Sequence, residues 1–149
     1  NCANALKMGY ADVIDRKTEN VAERVRELTG GKGVPVVYDS VGKASYDASL
    51  NSLATYGMFV SYGATTGPAP HVDPHELQVK GSLYFTRPTL ANYVAAREDL
   101  LMSAADVFRM IEAGVLSVNI NQRPPLSDIV ATHIALEAGT TTGSTVITP

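Results

Sequence analysis

A short apolar run that ends at small polar residues is the feature that most constrains this chain. Val34 to Tyr38 has the pattern of a buried strand, and Asp39-Ser40-Val41-Gly42 then forms a polar turn that opens a helix. A second strand, Met58 to Tyr62, runs in the same way into Gly63-Ala64-Thr65-Thr66-Gly67. In doubly wound α/β sheets, ligands bind at the carboxyl ends of such strands. The small residues at both ends therefore indicate a surface that lies close to a nucleotide.

Helical patterns alternate with these strands. The two apolar stripes are Val21, Val25 and Leu28, which follow the predicted N-cap Thr18, and then Tyr46, Leu50 and Leu53. A two-residue strand, Val13-Ile14, is predicted before the first stripe. Strands that alternate with helices predict a parallel sheet with right-handed crossovers.

The second half of the chain also alternates. The predicted elements are a strand over Gly81–Thr86, a helix that stops at Gly114, a strand over Val115–Ile120, a helix capped by Ser127 that reaches Ala138, and a final strand over Ser144–Ile147. The composition changes near Gly114. We therefore predict a domain boundary there.

Composition excludes several classes of partner. The 149 residues are 45% hydrophobic and carry a net charge of −3, so the chain can build a core and has no basic footprint for nucleic acid. No apolar stretch approaches the ~20 residues of a membrane helix. The single Cys2 cannot form an intrachain disulfide, which favours a reducing compartment.

Three motifs have better structural explanations than chemical ones. Gly30-Gly31-Lys32-Gly33 lacks the spacing of a phosphate loop and follows a helix, so it is typical of a helix-to-strand turn. His71 and His75 are flanked by prolines that oppose a metal-binding helix, and no third ligand is near. Ser40 has no nucleophile-elbow motif around it, which argues against a hydrolase.

An ordered set of short motifs carries a family resemblance. The motifs are Val37-Tyr38-Asp39-Ser40-Val41-Gly42, Val60-Ser61-Tyr62-Gly63, Lys80 to Leu90, Ala96-Arg97-Glu98-Asp99-Leu100 and Thr142-Gly143-Ser144. Together they resemble NADPH:quinone oxidoreductases of the zeta-crystallin type, within the medium-chain dehydrogenase/reductase superfamily. The resemblance covers essentially the whole chain.

This resemblance implies an α/β fold in two parts. Residues 1–114 would be the C-terminal part of a Rossmann-type doubly wound parallel sheet, and residues 115–149 a short segment that returns to a GroES-like catalytic domain. The chain is then expected to be a C-terminal fragment, with the phosphate turn and the quinone-pocket tyrosines upstream. In the Rossmann strand order, strand three near Val13-Ile14 would be separated from strand four by roughly 10–15 Å.

The family transfers hydride from NADPH to a quinone in the cytoplasm, without a metal. The resemblance therefore implies NADPH as cofactor, with NAD less favoured, and no catalytic residue in this chain. Two alternatives stay open: a related reductase acting on enones or enoyl thioesters, or a nucleotide-binding module without catalysis.

The matching motifs imply a set of cofactor-binding residues. They are Ser40, Val41 and Gly42 near the cofactor, Tyr62, Gly63, Ala64 and Thr65 beside the ribose and pyrophosphate, and Phe85, Thr86 and Arg87 near the carboxamide. Arg87 either lines the cofactor cleft or is an ordinary surface charge.

Arg16 belongs to this set because the chain departs from the family pattern. Family members usually carry Lys where Asn1 stands, Tyr where Arg16 stands and often Arg where Gly139 stands. Arg16 either replaces the missing phosphate contacts or is an exposed charge beside Lys17. The family's dimer contact also implies a homodimer through the strand Gly81–Phe85.

Overall fold

The computed structural model describes residues 2–149. Within this range the α-helices are α1 Cys2–Lys7, α2 Val21–Leu28, α3 Tyr46–Ser52, α4 Pro74–Val79, α5 Leu90–Tyr93, α6 Arg97–Glu112 and α7 Ile129–Glu137. The strands are β1 Val34–Asp39, β2 Leu53–Ser61, β3 Tyr84–Thr86, β4 Ile120–Gln122 and β5 Ser144–Thr145. None of the helices in residues 2–149 has the length and apolar character needed to cross a membrane.

The strands form two parallel sheets. The first has the order β1-β2-β3, and the second pairs β4 with β5. The chain divides into two compact units, the first ending at Asn92 and the second running from Tyr93 to Pro149. The boundary predicted near Gly114 lies inside the second unit, and the assignment of residues 115–149 to a GroES-like segment stays a prediction.

The core of the first unit lies between α3 and the sheet. Its buried members are Tyr46, Leu50, Leu53, Phe59 and Leu83. The predicted stripe supplies three of them, Tyr46 and Leu50 from α3 and Leu53 from the start of β2. Phe59 of β2 packs edge-on against Tyr46 with ring centroids 5.8 Å apart. Burying such side chains is the main source of stability available to this unit.

Polar contacts fix α2 against this core. The N-cap of α2 is Asn20 rather than the predicted Thr18, and its side chain accepts hydrogen bonds from the amides of Ala22 and Glu23. Arg26 on the same helix donates to the carbonyls of Asn51 and Leu53, at the end of α3. These bonds supply donors to carbonyls that a helix end leaves without partners.

The predicted strand Val13-Ile14 is not formed. Residues 13 and 14 lie outside both sheets, and the amides of Thr18 and Glu19 turn back to the carbonyl of Asp15. Within the described part of the chain, residues 13 and 14 have no strand to pair with. Among the described residues, the only strand that pairs with β1 is β2. The strand expected across a gap from β1 is therefore absent from this part of the chain.

Strand β3 is shorter than the predicted Gly81–Thr86. Gly81 and Ser82 have φ angles of 120° and 55°, in the left-handed region, so the backbone turns there. The amide of Leu83 donates to the carbonyl of Leu77 in α4, a contact outside the sheet. Strand pairing consequently begins at Tyr84.

Residues 115–119 also differ from the predicted strand. The amides of Val115 and Leu116 both donate to the carbonyl of Met110, so they complete the end of α6. Gly114, with φ 71°, allows this turn, and the strand starts only at Ile120.

The last helix and strand are shifted too. Residues 126–128 form a 3-10 turn, and Asp128 rather than Ser127 occupies the N-cap position of α7. The final strand comprises Ser144 and Thr145, the two residues that pair with β4.

Candidate functional site at the strand ends

Three strand ends meet at one edge of the first sheet. Asp39, the last residue of β1, lies opposite Ser61, the last residue of β2, and Val60 lies opposite Thr86 at the end of β3. The chain leaves β1 and β2 through two segments that we call the first loop, residues 40–45, and the second loop, residues 62–67. The parallel order of the strands therefore brings both glycine-containing loops to the same edge.

A buried carboxylate organises the first loop. The side chain of Asp39 accepts hydrogen bonds at Oδ1 from the amides of Val41 and Gly42, both at 2.8 Å. At Oδ2 it accepts from the hydroxyls of Ser45 and Ser49, at 2.5 and 2.6 Å. One side chain thus ties the end of β1 to the loop and to the first turns of α3.

The ionisation of Asp39 follows from these contacts. The residue is 5% exposed, and burial alone would raise the pKa of its carboxyl. The hydroxyl and amide donors outweigh burial, so the pKa of Asp39 lies below its ordinary value. The site therefore holds a carboxylate whose charge is satisfied internally.

Gly42 is required by the shape of the first loop. Its φ is 87°, and a Cβ there would collide with the carbonyl oxygen of Gly67 in the second loop. The Gly42 carbonyl accepts from the amides of Ser45 and Tyr46, which starts α3. Glycine is the residue that combines this backbone conformation with such a close approach.

The two loops are joined by backbone hydrogen bonds. Thr65 and Thr66 donate through their amides to the carbonyls of Ser40 and Val41, at 3.3 and 2.9 Å. Lys43 donates in the opposite direction to the carbonyl of Gly67, at 3.0 Å. The loops consequently form one continuous piece of backbone.

Gly63 makes the close approach of the loops possible. A Cβ at this position would lie 2.7 Å from the Cα of Ser40. That distance is too short for any real side-chain contact, so residue 63 must be glycine if the loops are to keep this spacing.

Arg87 ties the end of β3 to the second loop. Its Nη1 donates to the carbonyl and the hydroxyl of Ser61, both at 3.1 Å, and to the carbonyl of Gly63 at 2.8 Å. Ser61 is buried. The guanidinium is thus part of the hydrogen-bonded framework at the strand ends.

Most of the predicted cofactor-binding residues come together here. We call the following set the strand-end surface: Ser40, Val41, Gly42, Tyr62, Gly63, Ala64, Thr65, Phe85, Thr86 and Arg87. Tyr62, Ala64 and Thr65 are exposed, whereas the ring of Phe85 packs on Phe59 with centroids 5.1 Å apart. Phe85 therefore offers its backbone, not its ring, to the surface.

Arg16 lies elsewhere in the first unit. It is exposed in the turn that follows residues 13–15 and lines a shallow pocket of about 310 Å³ with Cys2, Val13 and Lys17. Within residues 2–149 no hydrogen bond links this turn to the strand-end surface. The predicted phosphate role of Arg16 stays a prediction, and Asn1 lies outside the described residues.

Sequence reasoning overlooked several residues of this framework. Ser45, the N-cap residue of α3, and Ser49 within the helix are four residues apart, a spacing that places both on one side of the helix start, and this signal could have paired them with Asp39. Ser61 and Thr66 carry no comparable signal, because their partners are 26 and 25 residues distant in sequence.

Within residues 2–149 no group of three or more His, Cys, Asp or Glu side chains is placed to hold a metal ion. The sequence-based expectation of a metal-free reaction is not decided by this observation.

Known proteins share this fold and much of this sequence. Residues 8–147 match the zinc-binding dehydrogenase family. The quinone oxidoreductase of Pseudomonas aeruginosa is 47% identical over 97% of this chain, which covers 45% of that relative. A 2-haloacrylate reductase from a Burkholderia species is 40% identical over 97% of this chain and 44% of the relative.

A solved structure gives the same picture. Escherichia coli quinone oxidoreductase complexed with NADPH superposes with a TM-score of 0.92 at 41% identity, over 99% of this chain and 46% of that one. The chain thus spans somewhat less than half the length of the relatives it matches.

Proposed function

Since this chain belongs to the zinc-binding dehydrogenase family, we propose that it supplies the cofactor-side surface of an enzyme that transfers hydride from NADPH to a quinone. The observation that carries the proposal is the strand-end surface, where three parallel strands and two fused loops meet. Ligands of doubly wound sheets bind at this edge. The similarity to quinone oxidoreductases, one of them complexed with NADPH, supports the choice of cofactor and acceptor.

The residues present fit a nicotinamide dinucleotide. Small side chains at Ser40, Ala64 and Thr65 leave the backbone of both loops open to a flat ring, and Tyr62, which begins the second loop, is exposed. Asp39 adds no exposed negative charge that would repel phosphates, because its carboxylate is buried and satisfied by four donors. The bound cofactor supplies the hydride.

We assign the contacts as follows. Ser40, Val41 and Gly42 lie along the cofactor, and Tyr62 to Thr65 flank its ribose and pyrophosphate. The backbone of Phe85 to Arg87 approaches the carboxamide. Arg87 serves the same surface by holding the Gly63 carbonyl, so it orients the second loop.

The reaction we propose uses no metal ion and takes place in the cytoplasm; both points rest on the family resemblance. The quinone pocket lies outside the strand-end surface. A reductase of enones or enoyl thioesters remains the alternative reaction, and a 2-haloacrylate reductase is among the relatives.

Activity tests this function directly. Purified full-length protein that contains this chain should oxidise NADPH in the presence of 1,4-benzoquinone and far more slowly with an enone, followed by loss of NADPH absorbance. Gly63→Ala should raise the KM for NADPH, because the added Cβ forces the loops apart. Gly57→Ala is the control: its Cβ would also approach backbone, 2.8 Å from the carbonyl oxygen of Ala54, but within β2 and not at the two loops, so the KM for NADPH should stay unchanged. Faster NADPH oxidation with the enone than with the quinone would contradict the proposed acceptor and favour the alternative reaction.

Cofactor choice depends on Arg16 in this proposal. If its guanidinium binds the 2′-phosphate, Arg16→Ala should weaken NADPH binding tenfold to a hundredfold, since a charge-assisted hydrogen bond contributes roughly 1.5–3 kcal/mol. NADH binding should change little. Titration of both cofactors measures this, and an equal loss for both would remove Arg16 from the phosphate site.

We also propose a homodimer through the segment Gly81–Phe85, of which Tyr84 and Phe85 lie in β3 and would pair with their copies. Within the described residues, β3 has β2 on one side and no strand on the other, and exposed strand edges recruit partners. Tyr84 is exposed, so Tyr84→Lys should block pairing without disturbing the core. Light scattering should report a monomer for this variant and a dimer for Tyr93→Lys, and a dimer for both would contradict the proposal.

A further inference from the structure

The hydroxyl of Thr66 is used on both of its hydrogen-bonding sides. It donates to the carbonyl of Val41 at 2.8 Å and accepts from the amide of Ala44 at 3.0 Å. The amide of Thr66 also donates to the Val41 carbonyl, at 2.9 Å. One exposed residue of the second loop therefore engages the first loop at two points.

These contacts are the most direct side-chain link between the two loops. Val41 follows β1 and Thr66 follows β2, so the pair joins segments that are 25 residues apart. Both loops carry proposed cofactor contacts, yet Thr66 is not one of them. The hydroxyl of Thr66 acts on the first loop through Val41 and Ala44, and its backbone continues directly from Thr65.

Loss of the hydroxyl should cost little global stability. Thr66 and Ala44 are both exposed, so water can replace the lost partner of the Ala44 amide. The Val41 carbonyl keeps its bond from the Thr66 amide. The hydroxyl thus adjusts the relative position of the loops more than it stabilises the fold.

We propose that Thr66 is a positioning residue that sets the spacing between the two loops of the strand-end surface and thereby prepares them for the cofactor. The part that concerns the cofactor rests on the proposed NADPH function, while the part that concerns the loops does not. The side chain at this position both donates and accepts a hydrogen bond through one oxygen atom, which requires a hydroxyl group. Serine can supply it, and valine, of nearly the same shape, cannot.

The test compares Thr66→Val with Thr66→Ser in the full-length protein that contains this chain. Hydrogen exchange without cofactor should show a less protected Ala44 amide in Thr66→Val and near-normal protection in Thr66→Ser. The KM for NADPH should rise about threefold to tenfold in Thr66→Val, the range expected from one net hydrogen bond. The KM for the quinone and the melting temperature should stay close to those of the unmodified protein.

The two readouts separate the possible failures. Unchanged exchange at Ala44 in Thr66→Val would overturn the proposal, as would a Thr66→Ser variant that behaves like Thr66→Val. A melting temperature that falls in step with the KM would reduce Thr66 to a structural residue and would also overturn it. If the unmodified protein binds no NADPH, the proposed function fails, and the exchange at Ala44 still decides whether Thr66 holds the loops.

Discussion

The two compact units of this chain bury their apolar side chains very differently. The first unit encloses Phe59, Leu50 and Leu53, each less than 2% exposed. In the second unit no residue from Tyr93 to Pro149, all of which the structure describes, is buried. Its longest helix, α6, leaves Phe108 64% exposed. The strand-end surface thus stands on a core of its own, whereas the second unit lacks one within the described residues.

An apolar pattern along a helix does not determine whether that helix is buried. Both α3 and α6 have apolar residues at helical spacing, and both form helices. Spacing predicts which face of a helix is apolar, but it does not say what covers that face. In α3 the cover is β2, as the contact of Tyr46 with Phe59 shows.

Truncating one phenylalanine in each unit tests the contrast most strongly. Phe59→Ala should lower the free energy of unfolding by about 3–5 kcal/mol, because it leaves a cavity in the core. The matched variant Phe108→Ala should lower it by less than about 1 kcal/mol, since its side chain is largely in water. Urea unfolding of the 149-residue chain measures both values. Similar losses for the two variants would show that α6 is covered as well as α3.

Removing one carboxylate in each unit is the next largest contrast. Asp39→Ala leaves four donors without their acceptor and should cost roughly 3 kcal/mol of unfolding free energy. Asp106 forms an exposed ion pair with Arg109, so Asp106→Ala should change stability by about 0.5 kcal/mol or less. The same urea titration compares them. A cost at Asp39 no larger than that at Asp106 would contradict the role given to the buried carboxylate.

Acid should remove the stabilisation that the Asp39 carboxylate provides. This effect comes last because it should not be measurable near neutral pH. The pKa of Asp39 is lower in the folded chain than its ordinary value, so its stabilisation is fully present above the unfolded pKa of ~3.9. It is lost as pH falls through the lowered folded pKa. The stability difference between the unmodified chain and Asp39→Ala should therefore be constant from neutral pH to about pH 5 and shrink below pH ~4. Urea midpoints of both proteins across this pH range test the prediction. A stability difference between them that grows in acid would contradict the lowered pKa of Asp39.

Much of the first unit could be predicted from local pattern. The apolar runs that became β1 and the second part of β2, and the stripe of α3, depend on residues close in sequence. The position of the strand-end surface followed from parallel topology, which places all carboxyl ends on one edge. The predictions of short strands were wrong at two places. Within the described chain, residues 13–14 have no adjacent strand to pair with, and the amides of residues 115 and 116 complete the end of α6.

Local pattern was enough to predict the alternation of strands and helices, the glycine-containing turns at the strand ends and the family to which the chain belongs. The contact of Thr66 with the first loop and that of Arg87 with Gly63 are visible only in the folded chain. The cause is the separation of the partners along the chain. Periodicity and turn preferences act between near neighbours, whereas a hydrogen bond across 24 or 25 residues exists only after the sheet has brought its strand ends together.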